Sequence, residues 1–345
     1  MTPPEPPSTP KEPVLKTAGP QQTATPRLLP RPRPAASAIA MAALAGLVAC
    51  MPASGPGPVA PTAQTQPALL PGSPLAETPA STLARVHYAR VQSQLLSQGL
   101  LRTDGGGNDT PFTDRMLAEN FIRVALFDEY TRTAGGPVQR TTASRIRKWQ
   151  APVRVGLRFG PSVSADRRAA DTARVGSFLQ RLSRLTGHPI ALNDSAPNFY
   201  IHIVTEDERR ALGPQIRGAL PGLSASEVAA ITDMPRSTYC LVYAMSENDG
   251  ATYSRAFAVI RAEHPDLLRL SCLHEEITQG LGLANDSPTA RPSIFNDDEE
   301  FALLTRQDEL MLKMLYSPAL RPGMTEPEAR PIVESLAASL VGGDS

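Results

Sequence analysis

The adjacent carboxylates Glu275 and Glu276 are the side chains best placed for catalysis or metal binding. They lie in a predicted helix that terminates at glycine residues. The surrounding sequence is DLLRLSCLHEEITQGLGLANDS, in which leucine and isoleucine recur at helical spacing. His274-Glu275 begins like the zinc signature H-E-x-x-H, but Thr278 stands where the second histidine is required, so the signature fails. His274 borders the apolar stripe, and we expect it to be a hydrogen-bonded structural residue rather than a metal ligand.

A register shifted by one residue matches a longer metal-site pattern. The segment EEITQGLGLAN can be aligned with H-E-x-x-H-x-x-G-x-x-H, the extended motif of the metzincin peptidases, in which the glycine ends the helix and a third ligand returns to the metal. In this alignment Glu276 takes the position of the general base, and Gly282 that of the helix-ending glycine. All three histidines are replaced, by Glu275, Gln279 and Asn285, whose oxygens suit harder ions better than zinc.

A second segment resembles the same group of proteins. Ser293-Ile294-Phe295 is similar to the Met-turn that lies beneath the metal, with Phe in place of Met. The resemblance implies an α+β, zincin-like fold: a mixed β-sheet with a long helix, an active-site-type helix followed by a glycine turn, and C-terminal helices. The likeness is to the scaffold, since the residues that make the chemistry differ.

The replaced positions leave an oxygen-rich set of side chains, which suits a divalent ion such as Ca²⁺. Asp286 follows the third replaced position, and Asp297 or Asp298 could complete the set. The alternative is that the acidic run 296–300 is a solvated loop. The candidate metal ligands are Glu275, Gln279, Asn285 and Asp286, with Glu276 as the candidate catalytic residue.

A further resemblance covers more of the chain. It rests on the helix and turn described above and on later residues, which are Leu304-Thr305, Asp308, Leu315-Tyr316-Ser317-Pro318 and Pro322-Gly323-Met324-Thr325. Together these segments resemble the proteobacterial lipoprotein family known as domain of unknown function 2927. The resemblance spans about residues 149–328 and implies a periplasmic lipoprotein without an assigned activity.

Alternating strands and helices must position these residues. Val153–Phe159 alternates apolar and polar residues as a half-buried strand does, and Ser164–Thr186 is a long amphipathic helix that Gly187 ends. This order predicts a mixed sheet with helices packed on it. The other predicted helices are 82–99, 114–130 with Thr113 as N-cap, a broken stretch at 206–233, 266–281, 301–315 and 328–340; the other strands are 190–193, 198–204, 239–244 and 255–261.

The N-terminal part of the chain has the features of an export signal. Residues 35–49 are uncharged and apolar, too short to span a bilayer but long enough for a signal-peptide core. Arg27, Arg31 and Arg33 precede this run, and Cys50 follows small residues as in a bacterial lipobox, where the cysteine is acylated. The alternative is an alanine-rich helix that happens to end in a cysteine.

The proline content divides the chain in the same way, since 19 of the 35 prolines lie within residues 1–80. We predict a leader at 1–49, a lipidated Cys50 with a Pro/Ala-rich tether at 50–80, and a single α+β domain at 81–345. Met51 is not the aspartate that retains lipoproteins in the inner membrane. The expected location is therefore the outer membrane, with the domain facing the periplasm.

Charge and cysteine content limit the partners further. The 34 basic and 34 acidic residues balance without a basic run, which argues against nucleic-acid binding. Cys240 and Cys272 would lie in an oxidising compartment, where a disulfide between them is expected and two buried thiols are the alternative.

Three functions stay open. The first is a non-catalytic zincin-like module that binds a peptide or an envelope protein in the former substrate groove. The second is a metal-dependent hydrolase or peptidase with Glu276 as general base. The third is an envelope structural protein in which Glu275, Glu276 and Gln279 only hydrogen-bond the following turn. We favour a role without catalysis, with a divalent metal ion as the one conceivable cofactor.

Overall fold

The computed structural model describes residues 77–342, apart from 134, 135 and 297 and the side chains of 129–141 and 249. The predicted leader, Cys50, most of the tether and Asp297 lie outside the described residues. The α-helices are α1 (Pro79–Ser97), α2 (Asp114–Ala125), α3 (Ala165–Thr186), α4 (Glu206–Arg210), α5 (Gly213–Ala219), α6 (Ala225–Thr232), α7 (Asp266–Leu281), α8 (Arg306–Leu315) and α9 (Glu326–Val341).

The strands form a mostly parallel sheet and a separate hairpin. They are β1 (Phe127–Thr133), β2 (Gly136–Ala143), β3 (Lys148–Trp149), β4 (Val153–Phe159), β5 (Ile190–Leu192), β6 (Phe199–Val204), β7 (Cys240–Ser246) and β8 (Thr252–Arg261). β5, β4, β6 and β8 lie side by side and parallel, and β3 pairs with the first residues of β8. β7 runs antiparallel to β8, and β1 pairs with β2. The expected mixed α+β class is confirmed.

Local sequence signals account for the long helix α3 and for strand β4. The Ser164 side chain accepts a hydrogen bond from the Arg167 N–H at the start of α3, and Gly187 ends that helix in the left-handed conformation with φ 67°. β4 has the predicted bounds. The helix buries one stripe of apolar side chains on the sheet, which are Val175, Phe178, Leu179 and Leu182.

Helices cover both faces of the sheet. α3 and α7 share a core with Val155, Ile201 and Ala258 on one face. On the other face α5 and α6 pack against Phe257 and Val259. Along β7 the side chains alternate between these two cores, because successive residues of a strand point to opposite faces. The edge strand β7 is therefore held between two helical layers.

The N-terminal helix α1 attaches to the beginning of α7. Ala84 and Tyr88 pack against Leu268. The Tyr88 hydroxyl donates to the Arg236 carbonyl at 3.0 Å, and the Ser81 hydroxyl donates to Glu263 at 2.8 Å. Among the described residues, no helix combines the length and the apolar character that crossing a membrane requires.

Two predicted helices extend five residues beyond the helices of the structure. The helix predicted for 114–130 ends at Ala125, and Phe127 begins the hairpin β1–β2, which is absent from the predicted elements. The helix predicted for 301–315 begins at Arg306, because Thr305 and Asp308 form a capping box there. Both errors arose because apolar residues at helical spacing continue beyond the helix itself.

Candidate functional site

Helix α7 ends at a glycine turn that the surrounding chain holds tightly. Gly282 has φ 125°, and a Cβ atom there would lie 2.3 Å from the Arg147 carbonyl oxygen. The Trp149 indole N–H donates to the Gly280 carbonyl at 2.8 Å, and the Tyr316 hydroxyl donates to the Leu281 carbonyl at 3.0 Å. These bonds satisfy carbonyls at the helix end that have no partner within the helix, and they fix the direction in which the chain leaves α7.

Glu275 and Glu276 lie beside the disulfide that joins β7 to α7. Cys240 and Cys272 are bonded, with Cα atoms 5.9 Å apart, which confirms the predicted pair. The Cys240 sulfur and one ligand oxygen from each carboxylate all lie within 4.8 Å of one another. Glu276 is only 3% exposed and Glu275 is half-buried. The two carboxylates are therefore not a solvated helix face.

A third carboxylate acts on the same region. Tyr239 immediately precedes Cys240 in the chain. Burial, together with the negative charge of Glu299, raises the pKa of Tyr239. Glu299 belongs to the loop after the glycine turn, and its φ of 58° is in the left-handed region. Negative charge thus approaches the first residues of β7 from two elements, α7 and this loop.

The other candidate ligands bond to protein groups. The Gln279 amide donates to Asp286 at 2.9 Å, so the structure brings these two residues together. The Asn285 side chain donates to the Arg123 carbonyl at 2.8 Å, and its backbone N–H donates to the Val124 carbonyl at 3.0 Å. Asn285 therefore attaches the turn to the end of α2.

The predicted turn 293–295 is buried and is attached to α8. The Ser293 hydroxyl and the Ile294 N–H both donate to the Asp308 carboxylate, the latter at 3.0 Å. The Thr305 N–H and hydroxyl donate to the same carboxylate at 2.8 Å each. Complete burial raises the pKa of Asp308 to about 6, although these hydrogen bonds act in the opposite direction. The Phe295 carbonyl accepts from the Ser287 N–H at 2.8 Å, which places the turn next to the residues that follow the helix.

In the acidic run 296–300, which follows this turn, Glu300 forms ion pairs. Glu300 accepts hydrogen bonds from Arg291 at 2.6 and 2.8 Å and also pairs with Arg102 at 3.3 Å. The Asp298 carboxylate accepts the Glu300 N–H at 3.0 Å, which forms a local turn. These contacts agree better with a folded loop than with the solvated loop considered above.

His274 is a structural residue, as expected. Its ring stacks on Phe178 with centroids 3.9 Å apart, and its Nδ1 accepts a hydrogen bond from the Leu304 N–H at 3.2 Å. Burial lowers its pKa to about 3, with a smaller effect from Arg181. A neutral ring that accepts this hydrogen bond stabilises the loop before α8.

A different histidine, His264, lies at the disulfide, and its position in the sequence indicates no role for it. His264 is entirely buried, and its Nδ1 lies 3.8 Å from the Cys272 sulfur. Its Nε2 has no hydrogen-bond partner within the described part of the chain. Burial, with the charges of Arg261 and Arg269, lowers its pKa well below the usual value.

The position of Cys240 could have been found from the sequence. Cys272, Glu275 and Glu276 have the spacing i, i+3, i+4, which places them on neighbouring parts of a helix surface. A disulfide from Cys272 must then bring Cys240 next to the carboxylates. No such signal exists for His264, whose spacing fits no ligand pattern.

Fold and site together define a class of protein: a mixed α+β domain whose buried helix carries two carboxylates beside a disulfide and ends in a glycine turn. The chain belongs to the family described as "Protein of unknown function (DUF2927)", whose family model matches residues 114–335. No curated protein and no solved structure matches the chain.

Proposed function

We propose that this protein is a lipid-anchored periplasmic binding module that holds an extended, basic peptide segment along the free edge of β7. The observation that carries the proposal is that the first residue of this edge strand, Cys240, lies beside Glu275 and Glu276. The module has a zincin-like scaffold with a degenerate metal site, and its role does not involve catalysis.

The edge of β7 supplies the backbone part of such binding. Among the strands that the structure describes, only β8 pairs with β7. The opposite edge of an edge strand presents N–H and C=O groups with which an added peptide strand can pair. All seven residues of β7 are partly exposed, so solvent reaches this strand between the two helical layers.

Charge supplies the selectivity. An oxygen of Glu275 and one of Glu276 lie within 4.8 Å of the sulfur of Cys240, the first residue of β7, and the charge of Glu299 acts on the neighbouring Tyr239. A peptide with lysine or arginine at this position would bring positive charge to a partly buried negative region, where Coulomb interactions are stronger than in water.

The contacts of the candidate ligands favour binding over metal-dependent hydrolysis. Gln279 bonds to Asp286 and Asn285 bonds to the end of α2, so a metal would have to displace hydrogen bonds that stabilise the turn. The sulfur nearest the carboxylates is in a disulfide. Hydrolysis with Glu276 as general base is therefore the alternative that the experiment must also test.

The experiment measures binding of synthetic ten-residue peptides to the full chain purified in detergent, by fluorescence anisotropy. Lysine-rich peptides are expected to bind at least about tenfold more tightly than glutamate-rich ones, and Glu275→Gln is expected to remove most of that difference. Methylating alternate backbone nitrogens of the peptide is expected to weaken binding, because a methylated nitrogen cannot donate to β7. Glu334→Gln, a substitution of an exposed residue on α9, is the matched control.

Equal affinity for basic and acidic peptides, or no effect of backbone methylation, would overturn the proposal. Cleavage of the peptides that needs added metal ion and is lost in Glu276→Gln would instead support the hydrolase.

A further inference from the structure

We infer that reduction of the Cys240–Cys272 disulfide creates a binding site for a thiophilic divalent cation such as Zn²⁺. Its ligands would be the two released sulfurs with Glu275 and Glu276. This inference concerns metal binding controlled by redox state, and it does not depend on the peptide-binding proposal.

Three of the four groups already lie close enough together to approach the geometry of a metal site. The Cys240 sulfur and an oxygen from each glutamate lie within 4.8 Å of one another, and the Cys272 sulfur is bonded to Cys240. Ligands around one zinc ion lie about 2.0–2.3 Å from the ion. The distances between two such ligand atoms are therefore somewhat shorter than the 4.8 Å limit found here. Small side-chain rotations would bring the groups together. Three of the four ligands come from one turn of α7, which keeps their relative positions fixed.

The chemistry of the donors explains why the site depends on reduction. A disulfide sulfur is not the thiolate that binds zinc, so the oxidised chain offers only two carboxylates. After reduction, two thiolates would adjoin two carboxylates in a largely buried region. Burying four negatively charged groups costs free energy, and a bound divalent cation would neutralise part of that charge. Thiolates also select zinc-like ions over Ca²⁺ and Mg²⁺.

His264 provides a second, independent observation. This wholly buried ring has its Nδ1 at 3.8 Å from the Cys272 sulfur. In the tautomer that carries its proton on Nδ1, it donates to that sulfur, as residues around metal ligands do when they orient a thiolate. Its Nε2 has no hydrogen-bond partner in the described residues, so no contact there fixes the other tautomer.

The reducing step requires a dithiol as reductant. A thiolate of the dithiol attacks the Cys240 sulfur, which belongs to the less buried cysteine, and Cys272 leaves as a thiolate. The second thiol of the reductant then attacks the mixed disulfide and releases Cys240. The reductant ends as a disulfide, the protein gains two electrons and two protons, and cation binding releases the two protons to solvent.

The test is a titration of the full chain with Co²⁺ alone, after reduction with dithiothreitol and its removal without oxygen. One Co²⁺ per chain is expected in the reduced protein, with a sulfur-to-cobalt charge-transfer band that Zn²⁺ abolishes. No such band is expected in the oxidised protein or in Cys240→Ser/Cys272→Ser. Glu276→Gln and Glu275→Gln are each expected to weaken binding at least about tenfold, whereas Glu334→Gln is expected to have no effect.

Two results would overturn the inference. One is a reduced chain that keeps its circular dichroism spectrum and shows no charge-transfer band. The other is a band of unchanged affinity when both glutamates are replaced, because the cysteines alone would then bind the ion. A reduced chain that loses its secondary structure even with Co²⁺ present would also contradict it, since the site requires the folded helix α7.

Discussion

At the scale of single residues, buried imidazoles make the free energy of unfolding depend on pH. Burial lowers the pKa of His274 to about 3 and that of His202 to about 4, the latter with a further effect of Arg158. Both rings are neutral in the folded chain above about pH 4, while histidine in the unfolded chain has a pKa of about 6.5. The unfolded state therefore gains protons first, and stability is lost as the pH falls below that value.

Asp308 acts in the opposite direction. Its pKa is raised to about 6, above the value of about 3.9 in an unfolded chain. The folded state holds this proton more tightly, so the contribution of Asp308 to stability increases as the pH falls through 6. His264, also wholly buried with a lowered pKa, acts in the same direction as His274 and His202. Between pH 6 and pH 4 these three histidines outweigh Asp308, and we expect a net loss of stability.

His274→Gln is expected to reduce this loss by about 1.4 kcal/mol per pH unit between pH 6 and pH 4. Glutamine does not titrate, and its carbonyl oxygen can accept the Leu304 N–H. Urea unfolding at pH 6, 5 and 4 measures the slope. Asp308→Asn is expected to make the slope steeper and tests the sign, whereas a parental slope in His274→Gln would show that this ring is protonated in the folded chain.

At the scale of elements, the end of α7 depends on one backbone conformation. Gly282→Ala is expected to destabilise the chain by about 3 kcal/mol, because the φ of 125° disfavours a side chain and the new Cβ would collide with the Arg147 carbonyl. Chemical unfolding of the full chain measures the change.

Two other glycines separate the causes of that loss. Gly187 ends α3 with φ 67° and has open space around a Cβ, so Gly187→Ala reports the conformational cost alone, about 1 kcal/mol. Gly218 in α5 has neither restriction, and Gly218→Ala is expected to be neutral or slightly stabilising. If all three variants had equal stability, the glycine turn would not be a fixed feature of the site.

Elements with local signals were predictable from the sequence. β4 follows from alternation and α3 from its caps, because these signals lie within the elements themselves. The hairpin β1–β2 was missed because Phe127 continues the helical spacing of α2, and the strands after it contain mainly threonine and charged residues. Pairing between distant residues, such as Phe127 with Ala143, leaves no periodic signal in either strand alone.

The site was predictable only in part for the same reason. The helix, its glycine turn and the disulfide follow from short segments. The position of Glu276 beside Cys240 involves strand β7, which begins 36 residues earlier in the chain. The bond between Gln279 and Asp286 was not predicted, because both side chains had been considered as metal ligands rather than as partners of each other.

At the scale of the whole molecule, the expected leader determines charge as well as location. Residues 1–49 contain five basic and two acidic residues, so their removal changes the net charge from zero to −3. A domain with net negative charge and an acidic site would attract a basic peptide at long range as the peptide approaches. This electrostatic steering weakens as the salt concentration increases. The peptide-binding rate should therefore fall with ionic strength more steeply than the dissociation rate changes.

The lipid anchor is testable at the same scale with two substitutions at neighbouring positions. Cys50→Ala is expected to abolish incorporation of radiolabelled palmitate and to leave an uncleaved chain that keeps its five basic leader residues, because acylation and cleavage both require that cysteine. Met51→Asp is the matched variant: it should still be labelled and cleaved but fractionate with the inner membrane, since an aspartate after the lipidated cysteine retains the protein there. Palmitate labelling of Cys50→Ala at the parental level would show that Cys50 is not the lipidated residue. In that case the alternative interpretation of residues 35–49, an alanine-rich helix rather than a signal-peptide core, would be favoured.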